Sequence, residues 1–150
     1  MPYLSYKSPA GALTVFEENS AIVAIDWGST PNTQTTPLLE NAINQLDGYF
    51  SGTLKDFDLP LRPSGTQFQV NLWNQLLKIP YGTVCTYGDL ATNLNSAPRA
   101  IGGACGSNPI PIVIPCHRVI SAKGKLTGYT GGDGIDTKRA LLRLEGYGLL

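Results

Sequence analysis

The chain has 150 residues, of which 42% are hydrophobic, and its 11 basic and 11 acidic side chains give a net charge of zero at pH 7. This composition indicates one or two compact domains with a real core, and no apolar run approaches the roughly 20 residues that span a bilayer. The N-terminus lacks a basic segment leading into an apolar one, so we expect a cytoplasmic protein without a membrane anchor. Three cysteines without a Cys-x-x-Cys pair and a single histidine indicate neither a disulfide framework nor a metal site.

The zero net charge hides an uneven distribution along the chain. Residues 1–59 carry two basic and seven acidic side chains, whereas residues 60–150 carry nine basic and four acidic ones. This shift predicts an N-terminal domain over residues 1–59 and a C-terminal domain over residues 60–150. A polyanionic partner would contact the second domain, although charge alone favours two ordinary solvated surfaces.

The first domain has the pattern of a hairpin followed by a helix. In "GALTVFEENSAIVAIDW", two runs of strand-forming residues, 13–16 and 21–27, flank the polar turn "EENS". Apolar residues then recur at helical spacing between residues 38 and 50. A short strand and a linker are expected in "FDLPLRPSG". These elements predict a small antiparallel sheet with one helix.

The second domain is predicted to be mainly helical. An apolar stripe between residues 68 and 77 ends at "IPYG", and two shorter helices follow on either side of the tight turn "LNSAP". Thr86 and Asp89 make a capping box for the first short helix, while Ser96 and Pro98 suit the start of the second.

These two short helices have the spacing of a helix-turn-helix. The second carries Arg99 near its start and very small side chains at residues 102–104, which let a backbone approach another molecule closely. On pattern alone, two short helices more often form an ordinary helical hairpin of a core.

The segment "NPIPIVIPCHRVI", residues 108–120, places a cysteine beside the only histidine of the chain. Its prolines and aliphatic residues predict a rigid strand that leads into Cys116. A thiol reacts as the thiolate, so its pKa must be lowered by a cation, a base or a helix N-terminus, and His117 is the only imidazole. Neighbouring side chains of an extended backbone point to opposite faces, so a bridging water or a turn at Pro115 is needed to join the two.

An acid that orients the imidazole is expected in the last helix, "DTKRALLRLEG". Glu145 stands there just before Gly146, which marks the end of the helix. The ordinary alternative for the "CH" dipeptide is a buried cysteine beside a surface histidine.

Four blocks of the chain resemble the O6-alkylguanine-DNA alkyltransferase family, also called methylated-DNA-protein-cysteine methyltransferases. The blocks are "RAIGGACGSNP", "IPCHRVI", "GKLTGYTGG" and "KRALLRLEG", and the resemblance runs from about residue 65 to residue 146. It implies a ribonuclease-H-like α/β N-terminal domain with a small antiparallel sheet and a helix. A mainly α, winged-helix-like C-terminal domain with a helix-turn-helix is implied to follow. Non-catalytic relatives lack the cysteine that is present here as Cys116, so the resemblance implies an active protein.

The resemblance also implies catalytic roles. Cys116 accepts the alkyl group, His117 deprotonates it through a water, and Glu145 orients the imidazole. Asn108 ties the recognition helix to the active-site strand. Tyr87 helps to rotate the nucleotide and protonates the leaving guanine.

Two further groups of residues follow from the same resemblance. The helix-turn-helix enters the minor groove, and Arg99 fills the hole left by a flipped base, whose extrusion costs a few kcal/mol. The residues implied at the DNA surface are Arg99, Ala100, Gly102 and Gly103. The residues implied to line the base and alkyl pocket are Val119, Tyr129, Thr130, Gly131 and Cys105.

The function implied is DNA repair by irreversible, single-turnover transfer of the alkyl group of O6-alkylguanine to Cys116, with base flipping. The protein would act as a monomer on double-stranded DNA, without cofactor, metal or membrane, and activity on O4-alkylthymine stays open. Two other hypotheses remain. A Cys/His hydrolase would turn over repeatedly on an acyl substrate, and the helix-turn-helix and the basic second half argue against it. A pure DNA-binding module would form no covalent product.

Overall fold

The computed structural model describes residues 1–147 and divides the chain into two compact units, Met1–Ser64 and Gly65–Leu150. Residues 60–62 pair with the first unit, since the Ile22 amide donates to the Pro60 carbonyl at 2.8 Å and the Arg62 amide donates to the Ile22 carbonyl at 2.9 Å. The division therefore lies later than the predicted boundary between residues 59 and 60. The short strand expected here is a single β-bridge between Ile22 and Leu61.

The first unit is a three-stranded antiparallel sheet covered by one helix. The strands β1 (Tyr3–Ser8), β2 (Gly11–Glu18) and β3 (Ala21–Trp27) follow one another in space as in sequence. Helix α1 (Pro37–Phe50) starts after Thr36, whose side chain accepts a hydrogen bond from the third residue of the helix, and packs against β1 and β2. The predicted sheet and helix are confirmed. Their shared core contains Leu13, Val15, Ile22, Ile25, Leu39, Leu46 and Tyr49.

The second unit is mainly helical, as predicted. Its two short strands, β4 (Cys85–Thr86) and β5 (Val119–Ile120), pair in parallel. No helix within residues 1–147 is long and apolar enough to cross a bilayer. The elements are α2 (Gln67–Leu76), β4 (Cys85–Thr86), α3 (Tyr87–Asn93), α4 (Pro98–Gly106), a 3-10 turn (Cys116–Arg118), β5 (Val119–Ile120) and α5 (Ile135–Leu144).

Helices α3 and α4 form the helix-turn-helix pair and pack on each other. The predicted capping box of Thr86 and Asp89 starts α3. Ser96 does not cap α4, because the N-cap is Ala97, which offers no side-chain acceptor, and Pro98 supplies the first helical position instead. The indole of Trp73 in α2 donates to the Ala104 carbonyl at 3.0 Å, which fixes α4 on the core.

The predicted strand before Cys116 is absent, and this is a correction. A turn at residues 112–113 lies between Pro111 and Ile114, which form an isolated β-bridge. The amide of Val113 donates to the Pro111 carbonyl and that of Ile114 donates to the Ile110 carbonyl, both at 2.9 Å. Prolines have no N–H to offer a β-ladder, so this stretch forms local hydrogen bonds instead. The segment is nevertheless buried throughout, from residue 110 to residue 120.

Candidate active site

The thiol of Cys116 lies buried at the start of the 3-10 turn that follows Pro115. The cysteine is 8% exposed, and its amide donates to the Ile114 carbonyl at 2.8 Å. Burial raises the pKa of the Cys116 thiol above its ordinary value, and a hydrogen bond with the Asn108 side chain and the charge of Lys138 oppose that rise. The resting thiol is therefore neutral at physiological pH.

The predicted partners of the thiol, His117 and Glu145, are brought together in the same buried site. The imidazole Nε2 lies 2.7 Å from Glu145 Oε2, and both side chains are 0% exposed. Burial lowers the pKa of His117, and its hydrogen bond to Glu145 only partly offsets this, so the ring is neutral and able to accept a proton. Its Nδ1 is buried and has no hydrogen-bond partner among the described residues.

Two groups that the sequence reasoning missed also hold Glu145. Arg118 donates from Nε to Oε1 at 2.8 Å and from Nη2 to Oε2 at 3.1 Å, and the Gly82 amide donates to Oε1 at 3.1 Å. The same guanidinium donates through Nη1 to the Ile79 carbonyl at 2.7 Å. The carboxylate of Glu145 therefore joins the 3-10 turn to the loop after α2 and to the end of α5.

Asn108 connects the end of α4 to the turns before Cys116. Its Nδ2 donates to the Ile114 carbonyl at 2.8 Å, and its Oδ1 accepts from the Ile110 amide at 3.0 Å. The predicted link to an active-site strand is thus a link to a turn, because no strand forms there.

Tyr87, the first residue of α3, reaches the loop that precedes the last helix. Its phenol donates to the Thr127 carbonyl at 2.9 Å, and burial raises its pKa. Lys138 of α5 donates to the same carbonyl, also at 2.9 Å. Lys138 was another residue that the sequence reasoning missed. It shares its buried face of α5 with Glu145, seven residues on, and that helical spacing could have revealed it.

The residues predicted to line the pocket lie at different depths. Val119 is fully buried, and Tyr129 is 9% exposed with a phenol that has no partner among the described residues. Thr130 is exposed and Gly131 half-buried. Cys105 is buried on α4, and burial followed by the proximity of Cys116 raises its pKa to about 12.

The predicted DNA-contacting residues share an open surface of α4. Arg99, Ala100 and Gly103 are exposed and Gly102 is half-buried. A methyl group added at Gly102 or Gly103 would meet nothing within 4 Å. Helix α4 therefore presents one guanidinium and almost no side-chain bulk to a partner.

The chain resembles one protein family over nearly its whole length. The profile described as "6-O-methylguanine DNA methyltransferase, ribonuclease-like domain" matches residues 1–63, and the profile described as "6-O-methylguanine DNA methyltransferase, DNA binding domain" matches residues 67–147.

Similar proteins carry the same family name. The Methanosarcina acetivorans "Methylated-DNA--protein-cysteine methyltransferase" is 41% identical over 156 residues, which cover 97% of this chain and 99% of the relative. A Mycobacterium tuberculosis protein of the same name is 45% identical over 152 residues, covering 95% and 91% of the two chains. The crystal structure of Mycobacterium tuberculosis OGT in complex with DNA superposes with a TM-score of 0.87 at 44% identity, covering 97% of this chain and 92% of that one.

The fold thus defines a ribonuclease-like domain followed by a helical DNA-binding domain. The chain belongs to the 6-O-methylguanine DNA methyltransferase family, the methylated-DNA-protein-cysteine methyltransferases of DNA repair. The predictions of family, fold class and enzyme activity are confirmed. The DNA-binding domain and the similar structure in complex with DNA support DNA as the partner.

Proposed function

We propose that Cys116 accepts the alkyl group of O6-alkylguanine in double-stranded DNA. The observation that carries this proposal is the buried thiol next to a buried His117–Glu145 pair whose imidazole is neutral. The sulfur attacks the alkyl carbon, a C–S bond forms, and the C–O6 bond breaks with its electron pair staying on the guanine. The thioether product is stable, so each molecule reacts once and no cofactor is needed.

The proton of the thiol goes to His117. A water that bridges the thiol and the buried Nδ1 would carry it, and the Glu145 carboxylate 2.7 Å from Nε2 stabilises the imidazolium that forms. The thiolate thus forms only at the moment at which the sulfur attacks the alkyl carbon. Tyr87, whose phenol now donates to Thr127, would redirect that hydrogen bond and protonate the leaving guanine.

Burial of the thiol requires that the damaged base leave the duplex. A base flipped out at a cost of a few kcal/mol can reach a pocket lined by Val119, Cys105 and the residues 129–131. Arg99 then occupies the vacated space, while the small surface of Gly102 and Gly103 fits the minor groove.

The monomeric state and the cytoplasmic location belong to the same proposal. All three cysteines are free thiols, which is typical of a reducing compartment. One chain supplies the thiol, the imidazole, the carboxylate and the helix-turn-helix, so a second copy has no part to contribute.

The test is intact-mass analysis after incubation with a duplex oligonucleotide that contains O6-methylguanine. We expect one methyl group per molecule, located on Cys116 by peptide mass. Cys116→Ser should gain nothing, and Cys85→Ser, which changes a half-buried thiol outside the proposed site, should react like the wild type. Methyl transfer by Cys116→Ser, or many lesions repaired per molecule, would refute the proposal.

A further inference from the structure

The second unit buries a lysine that the proposed mechanism does not use. Lys138 of α5 is 1% exposed and is among the largest fully buried side chains. Within residues 1–147 no carboxylate lies within ion-pair distance of its ammonium. A buried ammonium is costly unless other groups compensate it, so this position calls for a role.

The ammonium is held by main-chain carbonyls on both sides of the site. Lys138 Nζ donates to the carbonyl of Val119 and, at 2.9 Å, to that of Thr127. The Val119 amide in turn donates to the Cys116 carbonyl. Lys138 therefore binds the residue that directly follows the 3-10 turn with Cys116.

The same ammonium also contacts the start of α3. It lies 5.7 Å from the centroid of the Tyr87 ring, and the Tyr87 phenol shares the Thr127 carbonyl with it. Lys138 thus joins three parts of the site: the turn with Cys116, the first residue of α3 and the loop that leads to Tyr129.

Among the described residues, Lys138 is the buried cation near the turn that no carboxylate neutralises. Arg118, the other buried cation near the turn, is paired with Glu145, and His117 is neutral. Burial raises the pKa of Cys116 and lowers that of Lys138, so it disfavours the charged form of both groups. The charge of Lys138 acts in the opposite direction and lowers the pKa of Cys116, and Cys116 in return raises the pKa of Lys138. The other titratable groups that interact with Cys116 are Tyr87 of α3, Cys105 of α4 and Tyr129 of the loop. His117 and Arg118, which follow Cys116 in the 3-10 turn, are both paired with Glu145.

We propose that Lys138 is a positioning residue for alkyl transfer: its ammonium fixes the carbonyls of Val119 and Thr127 on two sides of the site and supplies the positive charge that favours the Cys116 thiolate. This inference rests on the proposed role of Cys116 as the alkyl acceptor. Lys138 acts on the sulfur through charge and through the main chain that it holds, without taking up the alkyl group or the proton.

The test compares Lys138→Met, which removes the charge and keeps the chain length, with Lys138→Arg, which keeps the charge. Iodoacetamide alkylation of Cys116 is followed against pH by peptide mass. An opposite charge close to a titrating group lowers its pKa by about one unit or more, so Lys138→Met should move the alkaline rise to higher pH by about one unit and slow alkylation at pH 7.5 about tenfold. The pH profile of Lys138→Arg should stay near that of the wild type. The control variant Lys123→Met, which changes an exposed lysine, should also have the wild-type profile.

Both variants are checked for a native melting transition first. A folded Lys138→Met protein with the pH profile of the wild type would overturn the proposal. If the variants do not fold, the wild-type protein decides. The Lys138 side chain is titrated by carbon-13 NMR before and after carbamidomethylation of Cys116, and blocking the thiolate should lower the pKa of Lys138. An identical titration in both forms would overturn the proposal.

Iodoacetamide separates this proposal from the proposed function, because it reports on the thiol without DNA. A shifted profile in Lys138→Met together with a wild type that leaves methylated DNA unrepaired would refute the function, and would keep only the effect of the Lys138 charge on the Cys116 thiol. Repair by the wild type together with an unshifted profile in Lys138→Met would keep the proposed function and refute the role of Lys138.

Discussion

Glu145 neutralises a guanidinium that is almost completely withdrawn from water. Arg118 and Glu145 side chains are 8% and 0% exposed. Removing one partner of a buried pair leaves the other charge uncompensated, which costs about 3–5 kcal/mol. We therefore expect Glu145→Gln to lose about that much of its free energy of unfolding in urea at pH 7.

The matched control for this measurement is Asp136→Asn. Its carboxylate pairs with Arg139 at 3.0 Å, but Asp136 is 82% exposed, so the loss should stay below about 1 kcal/mol. A similarly small loss for Glu145→Gln would mean that water reaches the Arg118 guanidinium.

His117 makes the stability of the protein depend on pH near neutrality. Burial lowers its pKa below the ordinary 6.5, so the unfolded chain binds more protons than the folded one as the pH falls below about 6.5. The free energy of unfolding is thus at its full value above pH 6.5 and decreases below it.

Denaturant midpoints measured at pH 7.5 and pH 5 test this expectation. The chain has one histidine, and carboxylates titrate mostly near pH 4, so the decrease belongs to His117. In His117→Gln the difference between the two midpoints should largely disappear, and an unchanged difference would assign it to another group.

The glycines of α4 lower the stability of the helix and leave its exposed surface without side chains. Glycine in a helix interior costs about 0.5–1 kcal/mol relative to alanine, and a methyl group at Gly103 would meet nothing within 4 Å. Gly103→Ala should therefore raise the free energy of unfolding by about that amount. Gly103→Leu should fold as well but bind DNA more weakly, because its side chain extends from the surface proposed to enter the minor groove.

Fluorescence anisotropy with a duplex oligonucleotide measures the binding of both variants. Gly103→Ala serves as the matched control at the same position, since it adds one methyl group only. Equal affinity for Gly103→Leu and the wild type would remove this surface of α4 from the proposed interface.

Elements set by local chemistry could be predicted from the sequence, and elements set by tertiary contacts could not. The capping box at Thr86 and Asp89 and the apolar spacing of α1 are local signals, and both helices form. Strand β1 was not predicted, because its residues are nearly all half-buried and lack the alternation that marks a strand. The run before Cys116 looked like a strand because its residue types favour strands, but its prolines cannot join a ladder.

The site divides in the same way. Cys116 and His117 could be singled out from the sequence because they are adjacent and the chain has one histidine, and Glu145 because it precedes the glycine that ends the last helix. Arg118 and Lys138 were missed, because a basic side chain is presumed exposed until its buried partners are known. Only the fold brings the Val119 and Thr127 carbonyls to the Lys138 ammonium.

At the scale of the whole chain, the two units carry opposite charge. Residues 1–64 hold three basic and seven acidic side chains, and residues 65–150 hold eight basic and four acidic ones. Two of those eight, Arg118 and Lys138, are buried and cannot reach a phosphate. At most six basic side chains of the second unit are therefore left for DNA.

This number limits the salt dependence of DNA binding. Each phosphate contact contributes about −0.9 to the slope of log K against log salt concentration, so the second unit gives a slope no steeper than about −5. Binding measured between low and high salt tests this. A slope near zero would exclude phosphate contacts, and a steeper slope would require basic residues of the first unit.

The burial of Cys116 bears on how long an unused molecule lasts in the cell. Under the proposed single-turnover transfer, a molecule is also lost whenever an oxidant or another electrophile reacts with its sulfur first. Such reagents attack exposed thiolates, whereas this thiol is 8% exposed and its pKa is raised by burial. Burial therefore slows the loss of the unused thiol until, as proposed, a flipped base reaches it.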